Sequence, residues 1–271
     1  MTFLQYLLPQ HLLSQLMFRF ARIENVWIKN TFTRWFINKH QVNLAEAERD
    51  STSDYAHFND FFTRALKPQA RPISESPIIS PVDGVVSQAG KIKDSQILQA
   101  KGHHFSISQL LAGEYVEKIE NGHFATIYLA PKDYHRIHMP LDGKLVSMRY
   151  IPGNLFSVNH KTVNKVNGVF ARNERLLCLF DTVYGRVPYV LVGAIFVGSM
   201  ETSWQGQVTP PYGKEVKVYD YTKKEFELFK GDELGRFNMG STVIMLLPEN
   251  APVLKLQSGQ ELKMGLSLIH I

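Results

Sequence analysis

Hydrophobic positions change rhythm near residue 67. Before it they recur at helical spacing: Leu12, Leu13, Leu16, Met17 and Phe20 share one face, with Gln10, Ser14, Gln15, Arg19 and Arg22 opposite. A second, aromatic-rich stretch from Val26-Trp27-Ile28 to Trp35-Phe36-Ile37 carries Lys29, Arg34 and Lys39. Residues 41–66, with Ala45, Ala47 and a phenylalanine cluster at 58–62, read as further helix. From Pro68 the texture shifts to prolines at 68, 72, 77 and 81, glycines at 84 and 90, and short β-branched runs. The pattern predicts strands over 84–88, 124–129, 144–150, 174–181, 187–197, 204–208, 215–218 and 242–247. It predicts one helix over 106–111, with Ser106 at its N-cap. Strands and helices do not alternate, which disfavours a doubly wound parallel sheet. The expected class is α+β: N-terminal amphipathic helices over residues 1–66, then a mostly antiparallel, β-rich body over 67–271.

Composition adds bounds. A chain of 271 residues, 44% hydrophobic and 20% charged, holds enough apolar mass for one large core or two modest ones. The net charge of +5 suits an anionic membrane surface or a nucleic acid and selects neither. The one cysteine, Cys178, lies in Leu176-Leu177-Cys178-Leu179-Phe180 and reads as a small buried hydrophobe. A single cysteine excludes an internal disulfide and a thiolate metal site. No run reaches the eighteen apolar residues of a membrane span, and the start of the chain lacks the features of a signal peptide, so a cytoplasmic protein is expected. Basic helices with Trp and Phe on their apolar side lie in membrane interfaces, but the same stripe also packs onto a protein body. Both readings stay open on spacing alone.

Three places put reactive groups near turns. In Ser80-Pro81-Val82-Asp83-Gly84 an aspartate precedes a strand, an arrangement that ordinary turn chemistry also produces. The stretch Ala130-Pro131-Lys132-Asp133-Tyr134-His135-Arg136-Ile137-His138-Met139-Pro140 places two histidines three apart in a proline-flanked loop. No spacing supplies a third ligand, so acid–base work is a better reading than metal binding. In Met239-Gly240-Ser241-Thr242, an unhindered glycine carbonyl adjoins a hydroxyl that can attack it, just before the apolar run Val243-Ile244-Met245-Leu246-Leu247. The plain alternative is a turn opening a buried strand. Aspartate, histidine and serine are the members of a charge-relay triad, which geometry and not order identifies. The Gly-x-Ser-x-Gly elbow of the α/β-hydrolases is missing around Ser241.

Several ordered blocks give the chain a likeness. They include Phe61-Phe62-Thr63-Arg64 with Arg71-Pro72-Ile73, the Asp83 turn, Leu98-Gln99-Ala100-Lys101-Gly102-His103, and Tyr128 through Pro140. Further along come Gly153-Asn154-Leu155-Phe156-Ser157-Val158-Asn159, Ala171-Arg172-Asn173-Glu174-Arg175, Val192-Gly193-Ala194, Val197-Gly198-Ser199, and Gly235-Arg236-Phe237 through Gly240-Ser241-Thr242. Over nearly its whole length the chain resembles the bacterial, membrane-associated phosphatidylserine decarboxylase proenzymes. Met239 stands where that family commonly has leucine, a swap that conserves volume.

The resemblance implies a chain that cuts itself between Gly240 and Ser241 into 1–240 and 241–271. The Ser241 hydroxyl attacks the Gly240 carbonyl, with His138 as base and Asp83 as the carboxylate that orients it. Elimination and hydrolysis then leave a covalent pyruvoyl cofactor at position 241, which forms a Schiff base with the amine of phosphatidylserine and acts as electron sink for the loss of CO₂. His135 is implied in positioning or protonating the substrate, Asp133 in holding its loop, and residues 153–159 in lining the lipid path. Also implied are a homodimer and a peripheral position on the cytoplasmic face of the cell membrane, with residues 1–40 as anchor and neither metal nor nucleic acid as partner. The last six residues do not look like the family's usual continuation. Two competing readings remain: a serine hydrolase using the triad on a lipid ester, and a non-enzymatic peripheral membrane protein.

Overall fold

The computed structural model describes residues 3–100, 102–114, 116, 119–196, 199–239 and 242–269. Three helices open the chain: α1 (Gln10–Phe20), α2 (Val26–His40) and α3 (Phe58–Phe62). Asn25 starts α2 by accepting the Ile28 amide on its side chain at 3.2 Å, and Gln41 ends it in the left-handed conformation at φ 56°. The helix expected across 41–66 shrinks to α3 and a single 3₁₀ turn. Short polar side chains take the amides that a helix would need: Asn43 accepts from Ala45 at 3.0 Å and Asp60 from Ala56 at 3.0 Å. The helices close their own core around Phe36, Tyr55, Phe58, Phe61 and Phe62.

Helix α1 docks through a mixed face, with Gln10 and Ser14 innermost and Leu13, Met17 and Phe20 half-buried. Gln10 and Ser14 are buried, whereas Leu12 and Leu16 are each 54% exposed. Gln10 accepts the Leu155 amide at 2.6 Å and Ser14 accepts the Phe196 amide at 3.1 Å, so the body holds the helix by hydrogen bonds. Leu12 and Leu16 are left facing out, as are Trp27 (76% exposed) and Trp35 of α2.

The body carries β1 (Gly84–Lys91), β2 (Gln96–Ala100), β3 (His103–Ser106), α4 (Ile107–Leu110), β4 (His123–Tyr128), β5 (Arg136–His138) and β6 (Gly143–Ile151). Then follow α5 (His160–Val163), α6 (Val169–Arg172), β7 (Arg175–Thr182), β8 (Gly185–Val192), β9 (Met200–Thr202) and β10 (Gly206–Gln207). The remaining strands are β11 (Lys217–Asp220), β12 (Glu227–Leu228), β13 (Glu233–Phe237), β14 (Thr242–Leu247) and β15 (Glu261–Leu262). Every pairing between these strands is antiparallel, so the α+β expectation holds. The large sheet runs β11-β6-β7-β8-β14-β4-β1-β15, with β12 also on β6, and a four-stranded sheet runs β10-β9-β13-β5.

Side-chain alternation gives the large sheet two buried faces. Leu176, Leu191 and Val243 face the small sheet, meeting Ile137, Met200, Leu234 and Phe237. Leu177, Val190 and Ile244 face Phe105, Leu110, Phe156 and Phe170. Strand β8 stops at Val192, short of the expected 197, because Asn173 and Glu174 take the carbonyl and amide of Gly193. The expected 204–208 strand contributes only β10, since Trp204 and Gln205 turn. Strands β5 and β13 went unforeseen: both are short, and Arg136, Glu233 and Arg236 pair along their outer side.

Candidate active site

Gly240 and Ser241 lie outside the described residues, but both flanks are fixed. On one side, Asn238 donates its amide to the Ser199 carbonyl (3.0 Å) and its side chain to the Ser199 hydroxyl (2.7 Å). Its own carbonyl accepts from Asn59 of α3 at 2.6 Å. On the other side, Thr242 begins β14 in register with Tyr128 and Val192, so the chain passes at once into the middle of the large sheet. The described residues on both sides of this bond are held by buried structure.

Strand β5 brings the two histidines alongside β13. Its register sets His138 opposite Glu233 and Arg136 opposite Arg236, while the His135 carbonyl accepts the Phe237 amide at 3.1 Å. His135 therefore stands at the end of β5 nearer the turn, and His138 at the far end. His135 is fully buried against Phe62, with ring centres 4.1 Å apart. Its Nδ1 donates to the Asp133 carbonyl at 2.8 Å, and its Nε2 is buried without a partner. Burial, and after it the Arg64 guanidinium, pushes its imidazole down to about 3. It is a neutral ring with a free lone pair, placed to accept a hydrogen bond.

His138 is also neutral, lowered chiefly by burial. Its Nδ1 donates to the Gly231 carbonyl at 2.7 Å, and its Nε2 accepts from the Tyr134 hydroxyl at 2.9 Å. Burial pushes the Tyr134 phenol up to about 12, which keeps it a donor.

Asp83 and His138 come close along the backbone, since the His138 amide donates to the Pro81 carbonyl at 2.8 Å. Their side chains do not meet among the described residues. Arg71 grips both Asp83 oxygens, Nε at 2.8 Å and an η-nitrogen at 2.5 Å, and the Met264 amide (2.8 Å) and Lys263 (3.3 Å) add to it. A bidentate guanidinium outcompetes a neutral imidazole for a carboxylate. The direct orienting contact expected of Asp83 is thus made by Gly231 instead. Burial would raise the Asp83 carboxyl, but Arg71 and the Met264 amide hold it below the usual range. Gly84 lets β1 approach β4 directly after Asp83, since a Cβ there would fall 2.4 Å from the Tyr128 carbonyl oxygen.

Asp133 caps its own turn by accepting the Ala130 amide at 2.7 Å. Arg64, Arg71, Tyr134 and Asn59 make contacts at the candidate site that sequence reasoning missed; the two arginines and Tyr134 lie within the resemblance blocks, which flagged them without naming a role. Two cavities lie nearby, one lined by Phe62, which His135 packs against, and one by Asp133, whose carbonyl it bonds. An apolar one of about 210 Å³ is lined by Phe36, Phe62, Val158, Phe196 and Met239, and a polar one of about 180 Å³ by Arg64, Asp83, Lys132 and Asp133. Among the described residues no three His, Cys, Asp or Glu side chains are grouped to hold a metal ion.

The family model for phosphatidylserine decarboxylase matches residues 58–270, and a second model, described as PSD, matches residues 1–41. A phosphatidylserine decarboxylase proenzyme of Methylobacillus flagellatus is 51% identical over 258 residues, 94% of this chain and 92% of its own. One of Pseudomonas putida is 52% identical over 273 residues, covering 97% and 95%. One of Nitrosococcus oceani is 53% identical over 249 residues, covering 90% and 81%. With a family model over most of the chain and relatives about half identical over nine-tenths of it or more, the chain belongs to the phosphatidylserine decarboxylase family.

Proposed function

We propose that the chain cuts itself between Gly240 and Ser241 into a large and a small chain, and that the product converts phosphatidylserine to phosphatidylethanolamine and CO₂. The observation that carries this reading is the kinship with phosphatidylserine decarboxylase proenzymes over almost the whole chain. In the cut, the Ser241 hydroxyl attacks the Gly240 carbonyl and turns the amide into an ester. His138 is the base: Gly231 holds the proton on Nδ1, so Nε2 receives the serine proton once it gives up the hydrogen bond it accepts from Tyr134. Asp83 helps by charge and not by contact, raising the basicity of both imidazoles. Elimination and hydrolysis leave a pyruvoyl ketone at position 241.

The surroundings suit such a group, because His135 Nε2 and Thr242 Oγ1 are buried polar atoms without partners. A pyruvoyl ketone supplies an electrophile for the substrate's amine and a sink for the electrons of the departing carboxylate. His135 then holds or moves a proton at Nε2, and the apolar cavity beside Met239 and Phe62 keeps water from it. Borohydride treatment and intact mass, read beside CO₂ release from phosphatidylserine vesicles, test the whole: wild-type protein gives two chains, the smaller one reducible. One uncut, active species would refute it. The two histidines separate the steps. His138→Ala is expected to slow the cut at least ~100-fold, and His135→Ala to cut normally but lose decarboxylation by a similar factor. If the effects come out exchanged, the base is His135.

Residues 1–66 are proposed as the membrane-association region and 67–271 as the catalytic domain, working peripherally on the cytoplasmic face as a homodimer. The exposed apolar side chains of Leu12, Leu16, Trp27 and Trp35 support this placement. Among the described residues no helix is long and apolar enough to cross a membrane. Leu12, Leu16 and Trp27 are exposed, so changing all three to serine costs the fold little. The triple variant is expected to bind anionic vesicles about 100-fold more weakly in a sedimentation assay, which corresponds to ~2.7 kcal/mol of lost apolar burial. Unchanged binding would mean that another surface meets the lipid.

A further inference from the structure

Arg64 is a buried cation with no counter-ion among the described residues. It leaves the end of α3, where its amide donates to the Phe61 carbonyl at 3.1 Å. The preceding carbonyl, of Thr63, accepts from Arg136 at 2.9 Å, so the backbone here is fixed. The residue is 3% exposed, and its guanidinium lies 5.5 Å from the centre of the Phe61 ring. One η-nitrogen donates to the Lys132 carbonyl at 3.2 Å, while Nε is buried without a partner. Burial lowers the group from the ordinary arginine value. A buried charge that nothing neutralises weakens a fold, and an anion from outside would relieve it.

The polar cavity of about 180 Å³ gives such an anion a place beside Arg64. The other charges around it already have partners. Arg71 is held by Asp83 and Glu46, and Lys263 lies 3.3 Å from Asp83. Lys132 and Glu261 meet at 3.8 Å as an exposed pair, loose enough to free the lysine for a stronger anion. Asp133 accepts the Ala130 amide, and burial raises its carboxyl above the usual range, which makes it a weak counter-ion for Arg64.

Two chain segments form this cavity and the apolar one together. In the loop after β4, Tyr128, Leu129 and Pro131 line the apolar cavity, whereas Lys132, Asp133 and Tyr134 line the polar one. At the end of α3, Phe62 lines the first and Arg64 the second. An amphiphile with an anionic head therefore meets a surface for each end. The polar cavity is smaller than the ~300 Å³ of a pocket for a drug-sized ligand, which suits a head group and not a whole lipid.

Resting on the decarboxylase reading, we propose that Arg64, with Lys132 beside it, is the anion subsite for the substrate's head group, holding either its phosphodiester or its carboxylate. A guanidinium with unused donors recognises both groups by charge-assisted hydrogen bonds. An anion held there also offsets the cation that, after burial, pushes the His135 imidazole down, so an arriving substrate restores some basicity to that ring.

The test is a ligand-observed NMR titration of the purified protein into the millimolar range, beside CO₂ release from phosphatidylserine in mixed micelles. The probes are glycerophosphoserine and glycerophosphoethanolamine, both N-acetylated so that neither reacts with a ketone; only the first carries a carboxylate. Arg64→Gln is expected to bind the serine probe about 10- to 100-fold more weakly and to raise the KM for phosphatidylserine by a similar factor, with Arg64→Lys between it and wild type. If the phosphodiester is the group held, both probes weaken alike; if the carboxylate is, only the serine probe does. Glutamine-variant affinities that match wild type for both probes, or a loss that falls on kcat alone, overturn the proposal. Should that variant fail to fold, Lys132→Gln at the half-exposed position is expected to weaken the serine probe ~3-fold, and an unchanged affinity overturns the proposal equally. Wild type that releases CO₂ but binds neither probe overturns the subsite alone. Wild type that binds the probes through Arg64 but releases no CO₂ sinks the decarboxylase reading and leaves the subsite standing.

Discussion

Ser241→Ala is expected to purify as one uncut chain of 31.0 kDa, with no borohydride-reducible carbonyl and no release of CO₂ from phosphatidylserine. The reasoning turns on what that oxygen does. Alanine differs from serine by that oxygen alone and leaves the Asn238 anchor and the Thr242 register untouched, so the fold should survive. The nucleophile is gone, and so is the only source of the ketone. Decarboxylation is therefore expected to fall below ~10⁻⁴ of wild type, the scale of loss when the nucleophile leaves a serine–histidine–aspartate site. The readouts also separate the competing chemistries. A serine hydrolase would be one chain already as wild type and would lose only ester turnover in the variant. A binding protein would hold anionic vesicles equally well in both forms. Wild type in two chains and variant in one leaves only the self-processing reading standing.

The sequence made some of this legible for physical reasons. Strands β4 and β14 are buried almost throughout, and continuous apolar runs of that length announce themselves. Strands β5 and β13 carry the histidines and the approach to the cut, yet three to five residues with alternating charges have no such signature. The apolar stripe of α1 was readable, but not which side it docks by, because spacing cannot say that Gln10 and Ser14 find partners in Leu155 and Phe196. The reactive residue types were readable too, from blocks of resemblance. Their wiring was not: Arg71 lies twelve residues before Asp83, and only the closing of β15 and the following residues over β1 brings Met264 and Lys263 to the same carboxylate. The split of the two histidines between the two ends of β5 likewise depends on the register with β13, which no local pattern encodes.

Arg71→Met is expected to cost about 3 kcal/mol of stability, a fall of roughly 10 °C in melting temperature for a chain of this size. Both side chains of the Arg71–Asp83 pair are nearly excluded from water, at 6% and 2% exposure, so removing the cation leaves a buried carboxylate with only the Met264 amide and the half-exposed Lys263. In wild type the folded Asp83 carboxyl lies below its ordinary value. Its contribution to stability is thus fully present above the unfolded value of about 3.9 and is lost as pH falls through the folded one. Without Arg71, burial dominates and the folded carboxyl rises above that ordinary value. Its contribution then reverses sign and weakens the fold as pH increases. The gap in melting temperature between wild type and variant is accordingly expected to be widest at pH 7 and to narrow toward pH 4.5. Adding Asp83→Asn to Arg71→Met should recover part of the loss, because a neutral amide no longer needs the cation. A gap that stays the same at both pH values, or a double variant less stable than the single, would show that Arg71 acts through packing and its contact with Glu46, and not through the Asp83 charge.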